Sequence, residues 1–216
     1  MPLFSYPKAQ YEPVPFPHAV VQGAWDWDVL RACKAEIATF KDWTGQKRAT
    51  YCQHKRYSSK PPPSCRKVID EASGPAFLAW LEALTGERGL VSDPGLTGGG
   101  IHSISAGGFL KIHTDFNIHK LGYRRLNVLI YLNEHWGWRG GDLELVNPDT
   151  GVSRWVSPEM NNMAIFTTDD KSYHGHPMPL ECPENVTRDS IALYYYSPFK
   201  PEKNYAAPRT NTTYYD

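Results

Sequence analysis

From Leu126 to Leu132 the chain alternates with a period of two: Leu126, Val128, Ile130 and Leu132 share one parity, and Asn127, Leu129 and Tyr131 the other. A period of two is the signature of a strand, whose successive side chains point to opposite faces. Further strand candidates cover 101–105, 109–115, 142–146, 153–156, 162–167 and 190–197, all after the glycine run Gly98-Gly99-Gly100. Many short strands at regular spacing read as a sandwich or barrel. Aromatics make up 13% of the chain, and 18 Pro and 17 Gly leave room for few long helices, so a mainly β domain is expected.

The first 95 residues read differently. Residues 1–23 look like an extended, Pro-rich arm. Asp26 or Asp28 can cap a helix over 26–42, in which Leu30, Cys33, Ile37 and Phe40 recur at spacings of three and four. From Thr44 to Lys67 the composition is polar and basic and ends in consecutive prolines, which predicts a loop; over 47–67 it reads either as a lid closing over a peptide or, at least as readily, as a solvated surface loop. A second helix is expected over 75–86, with Phe77, Leu78, Leu81 and Leu84 inward and Gly86 and Gly89 stopping it. No boundary separates two cores in 216 residues. One domain is expected: helical and loop support over 1–95, a β core over 98–197 and a tail over 198–216.

Charge narrows the partners. With 23 Lys+Arg against 23 Asp+Glu, no global field favours nucleic acid or anionic lipid. No apolar run approaches the roughly 18 residues a membrane span needs. Five prolines in the first twenty residues and no apolar stretch argue against a secretory leader, so a cytoplasmic location is expected. Cys33, Cys52, Cys65 and Cys182 lack zinc-ligand spacing. Their even number leaves room for a bridge such as Cys52–Cys65, but free thiols are expected in that compartment.

The densest chemistry is Phe109-Leu110-Lys111-Ile112-His113-Thr114-Asp115. In a strand, His113 and Asp115 project side by side. A third ligand from Ser172-Tyr173-His174-Gly175-His176-Pro177 would complete two histidines and a carboxylate on one triangular face, the pattern of non-haem Fe(II) sites. Alone, H-x-D reads as incidental polar groups on a surface strand. Arg188 and Ser190 change the reading, because they share a face of a strand otherwise apolar and aromatic. A buried guanidinium needs an anion, either a structural Asp or Glu or a dicarboxylate cosubstrate.

Taken together, H-x-D, H-G-x-P and R-x-S resemble the Fe(II)/2-oxoglutarate-dependent dioxygenases, and more closely their prolyl-4-hydroxylase-like branch. Gly107-Gly108, the stretch Arg125–Asn133, Trp136 and Gly140–Leu145 extend the resemblance over roughly 98–197. It implies a double-stranded β-helix (a jelly roll, cupin-like) with N-terminal supporting helices. It implies Fe(II) on His113, Asp115 and His174, and 2-oxoglutarate held by Arg188 with help from Ser190. Asn127 and Tyr131 fall where further cosubstrate contacts are often placed. O2 and, as a reductant, ascorbate complete the implied set. One departure stands out: Leu110 occupies the position, three before the first histidine, where prolyl hydroxylases commonly carry a cosubstrate-binding Tyr. Tyr131 or another group would have to take that role.

The resemblance implies hydroxylation of an unactivated C–H bond with release of succinate and CO2. A prolyl residue in a peptide or protein is the favoured substrate, a free amino acid or small metabolite the alternative. A non-catalytic cupin-like binding module is the rival of another class, against which Arg188 and Ser190 speak. The motif selects His174 over His176 as third ligand and leaves His176, His102 and His119 as pocket or surface histidines. Trp136, Trp138 and Tyr123 could wall the substrate mouth or simply pack.

Overall fold

The computed structural model describes residues 1–49 and 51–214. The elements run β1 (His18–Gln22), α1 (Trp27–Thr39), β2 (Gly45–Ala49), β3 (Cys52–Ser58), α2 (Pro63–Ser73), α3 (Pro75–Thr85), β4 (Val91–Ser92) and β5 (Gly100–Thr114). They continue as β6 (Ile118–His119), β7 (Gly122–Tyr131), β8 (Leu143–Asn147), β9 (Val152–Val156), β10 (Asn162–Thr167), β11 (Tyr173–His176), β12 (Thr187–Ser197) and β13 (Thr213–Tyr214). The strands follow the order β1-β10-β7-β12-β5-β11-β8-β9 in one antiparallel, nearly closed sheet, a jelly roll. No helix among the described residues is long and apolar enough to cross a membrane.

The seam of the roll is β5. Its first half pairs β12, from Gly100 opposite Ala192 to Ser105 opposite Thr187, and its second half pairs β11, with His113 opposite His174. The two expected strands 101–105 and 109–115 are thus one strand bent at Gly107-Gly108. Gly107 has φ of 72°, and a Cβ on Gly108 would lie 2.4 Å from the Ile104 side chain, so the bend needs both glycines.

Alternation decides which side chains reach which core. Leu126, Val128, Ile130 and Leu132 of the β7 segment join Ile191, Leu193 and Tyr195 of β12 on the outer face, beneath the helices. Asn127, Leu129 and Tyr131 point to the inside of the roll, where Tyr131 packs with Leu143, Leu145, Ala164 and Phe166. The helices bury Leu30, Cys33 and Ile37 from α1, Val68 and Ile69 from α2, and Phe77 and Leu81 from α3. Asp26 caps α1 by accepting from the Val29 amide, and Gly86 ends α3 in the left-handed conformation.

Two expectations are corrected. Residues 44–67 are not a loop: β2 and β3 form a hairpin whose second strand lines the edge of β5, and α2 begins at Pro63. Proline is tolerated at the first helical position, where its missing N–H has no partner to lose, so the proline run starts a helix. The part of the expected lid at residue 50 lies outside the described residues. Nor are residues 1–23 only an arm. β1 adds to the sheet beside β10, and Phe4 is buried against Trp25, Phe77 and Trp80. Cys65 is a free thiol, so no Cys52–Cys65 bridge forms; Cys33 and Cys65 are buried against each other, and that contact together with burial raises the Cys65 thiol pKa.

Candidate metal and 2-oxoacid site

His113 comes from the end of β5, Asp115 from the residue just beyond it, and His174 from β11, which pairs directly with β5. One ligand atom from each lies within 4.8 Å of the others, and all three residues are buried. The close approach of the two strands depends on Gly175. A Cβ there would sit 2.7 Å from the Lys111 carbonyl oxygen and 2.8 Å from that of Leu110.

The hydrogen bonds orient each ring. The Nδ1 atom of His113 meets the Lys111 carbonyl at 2.8 Å, and that of His174 meets the Ser172 carbonyl at 2.9 Å. A carbonyl only accepts, so each Nδ1 carries a proton and each Nε2 faces the cluster. There His113 Nε2 lies 3.6 Å from Asp115 Oδ1, and His174 Nε2 lies 3.3 Å from Asp115 Oδ2. Burial, then the neighbouring His174, lowers the pKa of His113, keeping its Nε2 lone pair free to donate. Lone pairs and a carboxylate converging in a buried space repel one another unless a cation sits between them. That donor set fits a divalent metal.

Asp115 has a counter-ion that the sequence did not announce. Arg124, almost fully buried, donates from Nη2 to Asp115 Oδ2 at 2.9 Å and from Nε to Asn127 Oδ1 at 3.0 Å. Its guanidinium lies 3.5 Å from the ring centre of Tyr194 and 4.5 Å from that of Phe116. Burial alone would raise the Asp115 pKa, but Arg124, with His174 and His113 behind it, holds it well below the usual carboxylate range. Strict alternation would turn Arg124 outward with Leu126. A bulge between β12 and β7, where Tyr195 faces Leu126 but Tyr196 faces Arg124, turns it inward. The same site claims Asn127, which donates from Nδ2 to Asp115 Oδ2 at 2.8 Å. Expected as a cosubstrate contact, Asn127 bonds the carboxylate and Arg124 and also lines the cavity beside the triad.

A cavity of about 150 Å³ opens beside the triad and is lined by His113, Asp115, His174, Arg188 and Ser190, with Lys55 and His176 near Arg188. Arg188 donates from Nε to the Gly141 carbonyl at 2.6 Å, and Nη2 lies 3.4 Å from the Tyr131 hydroxyl. Burial raises the Tyr131 pKa, so its hydroxyl keeps its proton beside Arg188. No carboxylate forms an ion pair with Arg188 among the described residues, and Asp142 acts on it only from a distance. An almost fully buried guanidinium of this kind, in the wall of a cavity, calls for an anion from outside the chain. Burial, then Arg188 and Lys55, holds the His176 pKa well below its ordinary value.

The expected aromatic walls lie elsewhere. Trp136 packs with Ile104 and Leu180 and donates to the Gly140 carbonyl, Trp138 is exposed, and Tyr123 meets Tyr205 edge-on. Phe116 and Tyr194 are the aromatics at the cavity. The chain after β12 also reaches it, because Thr212 is in its lining.

Residues 99–196 match the family model of the 2OG-Fe(II) oxygenase superfamily. No curated protein sequence matches the chain significantly. Among solved structures, a Pseudomonas putida prolyl-4-hydroxylase is similar with TM-score 0.56 and 18% identity, over 83% of this chain and 92% of that one. A Trichoplax adhaerens prolyl hydroxylase, in complex with a hypoxia inducible factor oxygen degradation domain peptide fragment, gives 0.58 and 14% over 83% of each chain. HygX from Streptomyces hygroscopicus, with nickel, 2-oxoglutarate and hygromycin B bound, gives 0.59 and 13% over 90% and 92%. At these identities the structures share a fold. The family match spans the β core with the His-Asp-His cluster inside it, and over that core the chain is similar to the 2OG-Fe(II) oxygenase superfamily.

Proposed function

We propose that the protein is an Fe(II)- and 2-oxoglutarate-dependent oxygenase that hydroxylates an unactivated C–H bond. The observation that carries this reading is the buried His113-Asp115-His174 cluster opening onto the same cavity as Arg188, a buried cation without an anionic partner among the described residues. In this reading the three ligands would hold Fe(II) by His113 Nε2, Asp115 and His174 Nε2. When bound, the metal with 2-oxoglutarate and O2 supplies the oxidation of the C–H bond, and succinate and CO2 are the co-products.

The chain's own residues orient and insulate. Arg188 clasps the distal carboxylate, with the Tyr131 hydroxyl and Ser190 at its side. Arg124 and Asn127 fix which way the Asp115 oxygens point. Leu129 and Leu143 supply dry walls that keep water from the reacting centre.

For the organic substrate, a prolyl residue in a peptide or protein is the reading favoured by the sequence, and the fold shared with two prolyl hydroxylases supports it. A second reading, a free amino acid or small metabolite, is favoured by the small cavity and by Thr212 at its lining. The test is succinate release from 2-oxoglutarate across a panel of proline peptides, free amino acids and small metabolites, with mass spectrometry of each candidate. A gain of one oxygen on a peptidyl proline supports the first reading, and a gain on free proline alone supports the second. Absence of metal-dependent 2-oxoglutarate binding would overturn both.

A further inference from the structure

His176 is buried to the same degree as the triad, yet neither of its ring nitrogens has a hydrogen-bond partner among the described residues. A buried polar side chain without a partner is costly and needs a reason. Packing does not supply one, because an apolar side chain would fill the same place without the penalty. The ring also lies outside the metal cluster, which among the described residues comprises His113, Asp115 and His174.

Its position supplies the reason. His174 and His176 are two apart on β11 and both line the cavity. Across the strand pair, His174 stands opposite His113, and His176 stands opposite Leu110. The intervening bulge lets Leu110 and His113, three apart, share the inner face. At position 110 β5 thus offers the cavity no polar group, and the neighbouring strand offers an imidazole in the same place. Arg188 and Lys55 line the same cavity as that imidazole, which in its neutral form has one N–H to donate. The Arg188 guanidinium and an unused N–H of His176 in the wall of one cavity form a site for a carboxylate.

We propose that His176 is a cosubstrate-binding residue that donates a hydrogen bond to the carboxylate clasped by Arg188, in the place that Leu110 leaves without a donor. This rests on the reading of the cavity as a 2-oxoglutarate site. The histidine adds direction to the charge of Arg188: a carboxylate must present one oxygen to each donor.

The experiment is calorimetric titration of 2-oxoglutarate into protein loaded with Mn(II) under anaerobic conditions, for the wild type, His176→Leu and His176→Gln. Mn(II) affinity is measured separately for each. The expected result is a 10- to 100-fold weaker affinity for 2-oxoglutarate in His176→Leu, partial recovery in His176→Gln, which keeps a donor, and unchanged Mn(II) affinity in both. Nitrogen NMR of the wild-type protein, loaded with diamagnetic Zn(II), should show the His176 ring signals shift when 2-oxoglutarate is added. Equal cosubstrate affinity in wild type and His176→Leu overturns the proposal, as does loss of Mn(II) in parallel, which would assign the ring to the metal centre. If His176→Leu fails to fold, the NMR shift decides, and unmoved ring signals on a protein that binds 2-oxoglutarate overturn it. A wild type that binds Mn(II) but no 2-oxoglutarate overturns the underlying reading itself, a result distinct from failure at His176.

Discussion

Arg124 holds Asp115 at 2.9 Å while lying against the ring of Tyr194, so the carboxylate of the triad is half of a buried ion pair that is itself sandwiched by aromatics. Removing one partner strands the other charge in a dry environment. Arg124→Met should therefore cost about 3–5 kcal/mol of stability in the metal-free protein, the usual consequence of breaking a buried pair. Adding Asp115→Asn to that variant should recover part of the loss, since the stranded charge is then gone. Denaturant unfolding of the two single variants and the double variant measures the coupling. Purely additive losses would show that the pair is not coupled in this way.

Metal binding should appear as stability. A divalent ion at 100 times its dissociation constant stabilises the folded state by about 2.7 kcal/mol when it binds only that state. The melting temperature of the wild type should rise on addition of Mn(II), and that of His174→Ala should not. Equal rises in both proteins would remove His174 from the ligand set.

Gly175 is where strand spacing and ligand geometry meet. A methyl group there would press on the Lys111 and Leu110 carbonyls, both backbone atoms with no easy way to yield. Gly175→Ala should destabilise by roughly 1–3 kcal/mol, typical of overpacking, and should also weaken metal binding by moving His174 away from His113. Mn(II) titration of the folded variant checks the second effect. Unchanged affinity would mean that the strands part elsewhere.

How far the sequence announces this molecule depends on the kind of signal. Residues two apart on one strand need only the strand, which is why His113 with Asp115 and Arg188 with Ser190 could be picked out together. Arg124 could not, because a bulge breaks the alternation that would place it. Phe4 and β1 carry no periodicity of their own. Their partners, Phe77 and β10, lie about 70 and 140 residues away, and only the tertiary fold brings them together. The prolines before α2 misled for the opposite reason, since the same residue that breaks a helix interior opens its first turn.

Phe4 gives that point a measurable form. Its ring packs on Tyr6, Trp25, Phe77 and Trp80, so it anchors the N-terminal segment to the helical layer. Phe4→Ala should cost about 3–5 kcal/mol, as for other buried aromatics. A loss below about 1 kcal/mol, the scale of a surface contact, would mean that the segment is dispensable to the core.

Asp93 offers a pH signature remote from the metal ligands. Burial would raise its pKa, but the backbone amides of Thr97 and Gly95 donate to the carboxylate at 2.6 and 2.9 Å and, with the Thr97 hydroxyl and His119, lower it from the ordinary 3.8. A lowered value means that the folded state favours the charged form. The stabilisation is therefore complete above the ordinary value and is lost as pH falls through the folded-state value. Asp93→Asn should cost roughly 1–2 kcal/mol at pH 7, and the gap to wild type should narrow below pH 3.8. Urea unfolding of both proteins across that range is the measurement. A gap independent of pH would show that the carboxylate charge contributes nothing.

The chain after β12 ties together the two loops that flank the triad. Arg209 donates from Nη1 to the Thr114 hydroxyl at 3.0 Å and pairs through Nη2 with Asp170 at 2.7 Å, while the Ala206 amide donates to the other oxygen of Asp170. Asn117, two residues after Asp115, exchanges hydrogen bonds with the Arg209 backbone in both directions. Asp170 precedes His174 by four residues, so one arginine spans the approaches to two of the three metal-facing side chains. The Arg209–Asp170 pair is partly exposed and should itself contribute only about 1 kcal/mol. Its effect should show in positioning. Asp170→Ala should leave global stability within about 1 kcal/mol of wild type, expose 204–214 to limited proteolysis, and raise KM for the organic substrate more than it weakens 2-oxoglutarate binding. That split is expected because Thr212 sits at the cavity lining while Arg188 is anchored independently by Gly141 and Tyr131. Equal changes in both constants, or no gain in protease sensitivity, would show that the segment does not shape the mouth of the site.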